Sequence, residues 1–142
     1  MTAEARARAI VAGMLARDRF SAWLGLEIVS VEPGNCTCRM TVRDEMANGF
    51  AVSHGGIVFS LADSAFAFAC NSSGFVTVSI ENTIRFPAAI RSGDVLTAVV
   101  REVASSNRLG YYAGEVTNQD GRVVGLFTGT SYRTEKRHHS DN

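Results

Sequence analysis

Residues 54–71 are apolar around almost the whole circumference that a helix would present. After His54-Gly55-Gly56 the chain reads Ile57-Val58-Phe59-Ser60-Leu61-Ala62-Asp63-Ser64-Ala65-Phe66-Ala67-Phe68-Ala69-Cys70. The length suits about five turns of helix, and β-branching is confined to Ile57 and Val58. A helix that is apolar on nearly every side must be enclosed rather than laid on a surface. Asp63 breaks the pattern: with His54 counted as neutral, it is the only acidic or basic side chain between Glu45 and Glu81. A lone carboxylate among Phe and Ala is costly to bury unless it has hydrogen-bond partners or a chemical role. Burial also raises a carboxyl pKa towards values useful in acid–base chemistry. The Gly55-Gly56 pair exposes backbone N–H groups at the expected helix start, where negative charge is stabilised. An acid and an oxyanion site are the minimum equipment for acyl transfer.

The flanking segments supply the enclosure. Strands are expected over 26–31 and 36–42 across Pro33-Gly34-Asn35, and a loop over 43–53 carries Asn48-Gly49. Ser72-Ser73-Gly74 ends the central helix. A third strand over 76–86 alternates, with Val76, Val78, Ile80, Ile84 and Phe86 on one face. Further strands follow over 95–103, 109–117 and 123–132, the last pair joined through Asp120-Gly121. One helix and a run of antiparallel strands predict an α+β domain: a strongly curved antiparallel sheet wrapped around a long central helix. Ala7, Ile10, Val11, Met14 and Leu15 form an apolar stripe, so an N-terminal helix is expected within residues 1–20. Residues 134–142 read as a flexible tail with solvated His138 and His139, and the whole of 1–142 as one domain.

Bulk properties exclude several classes. Fourteen basic and fourteen acidic residues cancel, which gives no electrostatic case for nucleic acid. No apolar run reaches the roughly 18 residues of a membrane span, because Asp63 interrupts the best candidate. Three cysteines, an odd number, read as reduced thiols in a cytoplasmic protein, and Cys36-x-Cys38 has no second pair with which to hold zinc. Cys70 has no base placed beside it by sequence and is a poor candidate nucleophile.

The spacing Asn48-x5-His54-Gly55-Gly56-x6-Asp63 closely resembles hotdog-fold acyl-CoA thioesterases of the phenylacetic-acid-degradation (PaaI) branch. The likeness extends through Trp23-Leu24-Gly25, Met40-Thr41-Val42, residues 65–72 and Arg85-Phe86-Pro87-Ala88. The resemblance implies hydrolysis of an acyl-CoA, of aryl or arylacetyl type, to CoA and a carboxylic acid, with no cofactor or metal. It implies Asp63 as nucleophile or general base and the Gly55 N–H as the carbonyl-polarising donor. Asn48 would position the water or the acid, and His54 would support the loop. Some relatives carry a hydroxyl one turn after the acid; here that residue is Ala67, which leaves Ser64 as a nearby substitute.

Eight positions separate Gly55 from Asp63, roughly 12 Å along one helix. No carbonyl carbon can touch both. A homodimer with two helices side by side and antiparallel would bring them together, and the dimer is expected to pair into a homotetramer. Ser60, Ser64 and Ala67 are small enough to permit close approach. Arg85, Arg91, Ser106, Asn107 and Arg108 lie at strand ends and turns where CoA phosphates could rest. Two other classes share this pattern's fold: a hydroxyacyl-thioester dehydratase and a non-catalytic acyl-CoA-binding or regulatory protein.

Overall fold

His54 starts the central helix by accepting the Gly56 N–H on its own Nδ1 at 3.0 Å, so the helix begins at Gly55 and runs to Asn71. The computed structural model describes residues 1–50 and 52–139. In chain order the elements are α1 (Ala3–Arg17), α2 (Arg19–Leu24), β1 (Glu27–Glu32) and β2 (Asn35–Thr41). After a 3-10 turn (Asp44–Met46) come α3 (Gly55–Asn71), β3 (Phe75–Arg85), β4 (Val95–Ser105), β5 (Leu109–Thr117) and β6 (Val123–Arg137).

The strands form one six-stranded sheet in the order β1-β2-β4-β5-β6-β3, every neighbouring pair antiparallel. α3 packs against β2, β3, β4, β5 and β6, so the sheet curls around it. This is the expected α+β architecture. Phe66 sits at the centre, with Phe127 at 5.5 Å and Tyr112 edge-on at 5.2 Å between ring centroids. Leu61, Ala62, Ala65, Leu96, Ala98, Val100 and Val116 fill the surrounding space with no exposed surface. Burying side chains of this size contributes about 1.5–3 kcal/mol each for the larger ones.

The N-terminal helix forms as expected, as α1, and a second short helix follows it because Asp18 leaves helical geometry (ψ 92°) and turns its carboxylate to cap α2 at the Ser21 N–H, 2.9 Å away. Three expectations need correction. The last strand does not stop at Tyr132 but continues to Arg137, since β3 is long enough to pair with it as far as Phe75–Arg137. The expected tail is therefore strand over 134–137, and residues 140–142 lie outside the described residues. His139 is exposed, but His138 is only partly exposed: its Nε2 donates to Asn71 Oδ1 at 2.7 Å, while the Asn71 amide group clamps the main chain of Thr77. Finally, β3 does not keep one apolar face towards the core. Its register slips between Ser79 and Glu81, Thr77 is buried, and Val78 and Ile80 are exposed.

β3 and β1 are the two edges of the sheet. The exposed Val78 and Ile80 therefore lie on a strand whose outer edge pairs with no other strand among the described residues. Among the described residues no helix is long and apolar enough to cross a membrane.

Close approach of α3 to the sheet depends on glycine. A Cβ at Gly125 would lie 2.6 Å from Val58 Cγ1, and one at Gly129 would lie 3.0 Å from both Phe66 and Phe127. Overpacking of this kind costs about 1–3 kcal/mol. Gly125→Ala should lower the chemical-denaturation midpoint accordingly, and adding Val58→Ala should recover part of the loss. Additive losses in the double variant would show that the two groups do not meet.

Candidate active site

The first turn of α3 collects three of the expected residues. Gly55 is the first helical residue, His54 is its cap, and Asn48 lies on the loop that delivers them. That loop is held by Asn48 N–H to Val52 O at 2.7 Å, His54 N–H to Met46 O at 2.8 Å and Ser53 N–H to Ile90 O at 2.8 Å. Asn48 Oδ1 accepts the Phe50 N–H at 2.8 Å, closing a turn of the kind Asn favours. Its side-chain amide NH₂ has no partner among the described residues.

Neither glycine of the pair adopts a left-handed backbone. Each is needed for close approach instead. A Cβ at Gly55 would meet the Phe86 ring at 3.2 Å, and one at Gly56 would meet His54 Nδ1 at 3.1 Å. Because His54 Nδ1 accepts the Gly56 N–H, a neutral His54 carries its proton on Nε2. No partner for the Gly55 N–H is found among the described residues. It therefore remains a donor at the positive end of the helix dipole.

Asp63 lies two turns further along, on the least covered stripe of α3, with Gly56, Ser60 and Ala67. Its carboxylate is partly buried and accepts from Asn82 Nδ2 at 2.7 Å. Asn82 is in turn oriented by Ser79, whose hydroxyl donates to Asn82 Oδ1 at 2.7 Å. That bond fixes which end of the amide faces the acid. Burial pushes the Asp63 pKa above the ordinary carboxylate value; the Asn82 bond pulls it down, and the Asp18 charge adds a smaller upward push.

Ser79 and Asn82 were not expected from the sequence. Three apart on an alternating strand, they should face opposite sides. The extra residue at Ile80, where Ser79 and Glu81 pair with adjacent Ser131 and Thr130, puts both on the α3 side. Ser64, in contrast, is not available as a substitute hydroxyl. It points inward, buried, and shares a 2.8 Å hydrogen bond with Ser21, which itself donates to Asp18 at 2.6 Å. Nor does Ser64 belong to the small-residue stripe; Gly56 takes its place beside Ser60 and Ala67.

The expected phosphate contacts fall into two groups. Arg85 and Arg91 flank the 86–90 segment at the Gly55 end of α3. Ser106, Asn107 and Arg108 sit at the opposite end, lining a cavity of about 190 Å³ with Ser73, Thr77 and Arg133. There Arg108 is already paired with Glu135 at 2.7 Å, and Ser106 Oγ accepts the Leu109 N–H at 3.3 Å. Cys70 borders the same cavity, but burial pushes its thiol pKa up to about 12, which makes it unreactive near neutrality. Among the described residues no cluster of three His, Cys, Asp or Glu could hold a metal ion.

Residues 50–125 match the thioesterase superfamily. The chain is 41% identical over 120 residues to the acyl-coenzyme A thioesterase PaaI of Escherichia coli, covering 84% of this chain and 86% of that one. The solved structure of the E. coli PaaI protein from the phenylacetic acid degradation operon superposes with a TM-score of 0.93. It is 37% identical and covers 96% of this chain and 99% of its own. A Streptococcus mutans protein solved bound to acetyl-CoA superposes at 0.76, with 29% identity over 80% of this chain and 91% of its own. With a curled six-stranded sheet around α3, and the Asn48, His54-Gly55-Gly56 and Asp63 positions placed as described, this chain belongs to the thioesterase superfamily: it is a thioester hydrolase of the hotdog fold, PaaI type.

Proposed function

We propose that this protein hydrolyses acyl-CoA thioesters, of aryl or arylacetyl type, in the cytoplasm, at two equivalent sites shared between the protomers of a homodimer. The observation that carries the reading is the position of Asp63. It is a desolvated carboxylate held by Asn82 on the open stripe of α3, about 12 Å along the helix from the Gly55 N–H of its own chain. The two groups can cooperate only if a second α3 lies antiparallel alongside. The small Gly56, Ser60 and Ala67 permit that approach, and the exposed apolar edge of β3 is a surface that needs covering. Dimers pairing into a homotetramer extend the same reading.

In the proposed mechanism the thioester carbonyl oxygen rests on the Gly55 N–H of one protomer, where the helix dipole stabilises the oxyanion. Asp63 of the other protomer faces the carbonyl carbon. In one route Asp63 takes a proton from water, the resulting hydroxide adds to the carbon, and the tetrahedral adduct collapses with loss of CoA thiolate. In the other, a carboxylate oxygen of Asp63 adds directly, CoA thiolate leaves, and water cleaves the mixed anhydride. Single turnover in labelled water separates them, since only the anhydride route leaves label in Asp63. The Asn48 amide and the Ser79 hydroxyl are the groups at hand to orient water. Arg85 and Arg91 hold CoA phosphates at the near end, with Ser106, Asn107 and Arg108 at the far end. No cofactor takes part.

Asp63→Asn should reduce kcat at least about a hundredfold in a thiol-release assay; retention of most of the rate would end the assignment. The same variant should unfold at a higher temperature at neutral pH. A carboxyl whose folded pKa is raised favours the folded state only while protonated, and this advantage disappears as pH rises through the folded pKa, so ionised Asp63 is a burden that the amide lacks.

Because the Asn82 bond lowers the Asp63 pKa, Asn82→Leu should move the acidic limb of the kcat/KM profile to higher pH. An unmoved limb would show that Asn82 does not tune the acid. Sharing of the site can be tested by mixing Asp63→Asn with Gly55→Val protomers. Random exchange should restore about a quarter of wild-type activity, because half the dimers are mixed and each has one intact site. A mixture as inactive as its components would place the whole site within one chain.

A further inference from the structure

A cavity of about 490 Å³ lies between α1 and the ends of β3 and β6. Ala9, Ile10 and Gly13 of α1 and Val76 of β3 form its apolar wall. The rest of its lining is basic: Arg17, Lys136, Arg137, His138 and His139. No carboxylate lines it, although acidic and basic residues balance over the whole chain. His138 is bonded to Asn71, the last residue of α3, roughly 24 Å along that helix from Gly55.

We infer that this cavity binds an organic phosphate of nucleotide size, its phosphate among the basic side chains and its organic part against α1. The inference goes beyond the thioesterase reading and does not depend on it. Unopposed positive charge gathered in a concave site is what a phosphate dianion neutralises. The volume is that of a small-molecule site.

Three observations carry it. The first is charge. The ion pairs found among the described residues engage Arg39, Arg43 and Arg108, whereas Arg17, Lys136 and Arg137 join none. Glu135, next to Lys136, is committed to Arg108 at 2.7 Å, and Asp18, next to Arg17, caps α2 instead. The second is order. Arg137 lies on the Phe75 ring, its guanidinium carbon 4.4 Å from the centroid, and His138 Nε2 is held by Asn71 Oδ1 at 2.7 Å. Both side chains are set in place before a ligand arrives, which lowers the entropic cost of binding. Burial and the Arg17 charge lower the His138 pKa, a sign of the positive field in the cavity.

The third observation is Gly13. It lies inside α1, where glycine costs stability relative to alanine. The fold of the protomer does not require it: a Cβ there would meet only Arg17 Nη2, at 3.9 Å, and its backbone is not left-handed. The missing side chain instead keeps the α1 wall flat beside the cations, where the organic part of the ligand lies.

Calorimetric titration of the intact protein with the adenosine bisphosphate that terminates CoA should show saturable binding at low ionic strength, one ligand per protomer. The double variant Lys136→Gln, Arg137→Gln should weaken it about tenfold, and Gly13→Leu should do likewise by filling the wall. Inorganic phosphate, which needs no wall, should bind Gly13→Leu and wild type alike. Circular dichroism checks that each variant is folded. Absence of saturable binding below about 1 mM ligand would overturn the site. So would binding that these variants leave intact and Arg108→Gln removes. The source of the nucleotide is read from thiol release with a CoA ester and the matching pantetheine ester. A rise in KM confined to the CoA ester in the double variant identifies the nucleotide end of CoA as the ligand. Unchanged KM values, with bisphosphate binding lost, identify a free nucleotide. Failure of the thioesterase reading would appear separately, as wild-type protein that binds the bisphosphate and releases thiol from neither ester.

Discussion

Everything in this structure follows from the need to cover α3. The helix has almost no polar face, so its surroundings must supply apolar contact on nearly every side, and a sheet curled around it does so with five strands. The fit is tight enough that Gly125 and Gly129 are required where β6 crosses the helix, because a methyl group at either position would collide with Val58 or with the Phe66–Phe127 pair. What the sheet, α1 and α2 leave least covered is the stripe of Gly56, Ser60, Asp63 and Ala67, with Gly55 and Phe59 along its border. The fold thereby selects where chemistry can occur: the lone acid sits on the one line of the helix open to a visitor.

Asp63 is held in a balance. Desolvation works against its ionised form, while the hydrogen bond from Asn82 supports it. A carboxylate that is charged yet poorly solvated is a stronger base than one in open water. The supporting chain, Ser79 to Asn82 to Asp63, costs the protomer some order in β3, since it exists only because the strand bulges at Ile80. Strain of pairing at a sheet edge next to a functional group is a common arrangement.

The ends of α3 have different tasks. At its start, His54 closes the cap on Gly56 and leaves the Gly55 N–H as a donor beside two clefts, one lined by the 86–90 segment and one by Phe20 and Trp23. At its finish, Asn71 ties the helix to Thr77 and His138, and Ser72 receives the Gly34 N–H at 2.8 Å from the β1–β2 turn. The finish is thus fastened by hydrogen bonds in several directions. The start is fastened by one loop and flanked by open surface, as suits a place where a substrate enters.

Much of this was readable in the amino-acid order. The enclosure of residues 54–71, the six strands, the oddity of Asp63 and the separation of Gly55 from Asp63 are all local properties of periodicity, composition and spacing. Tertiary structure alone decided which side chains stand around the acid. Ser64 looks equivalent to Ser60 in the sequence and lies only about 40° further around the helix, yet the packing of α2 buries it against Ser21. Ser79 and Asn82 look like residues on opposite faces, yet a one-residue slip in pairing against β6 brings them together. Helix periodicity is written in a single segment, whereas strand register is a relation between two. That is why the acid could be found by reading along the chain, and its partners only by folding it.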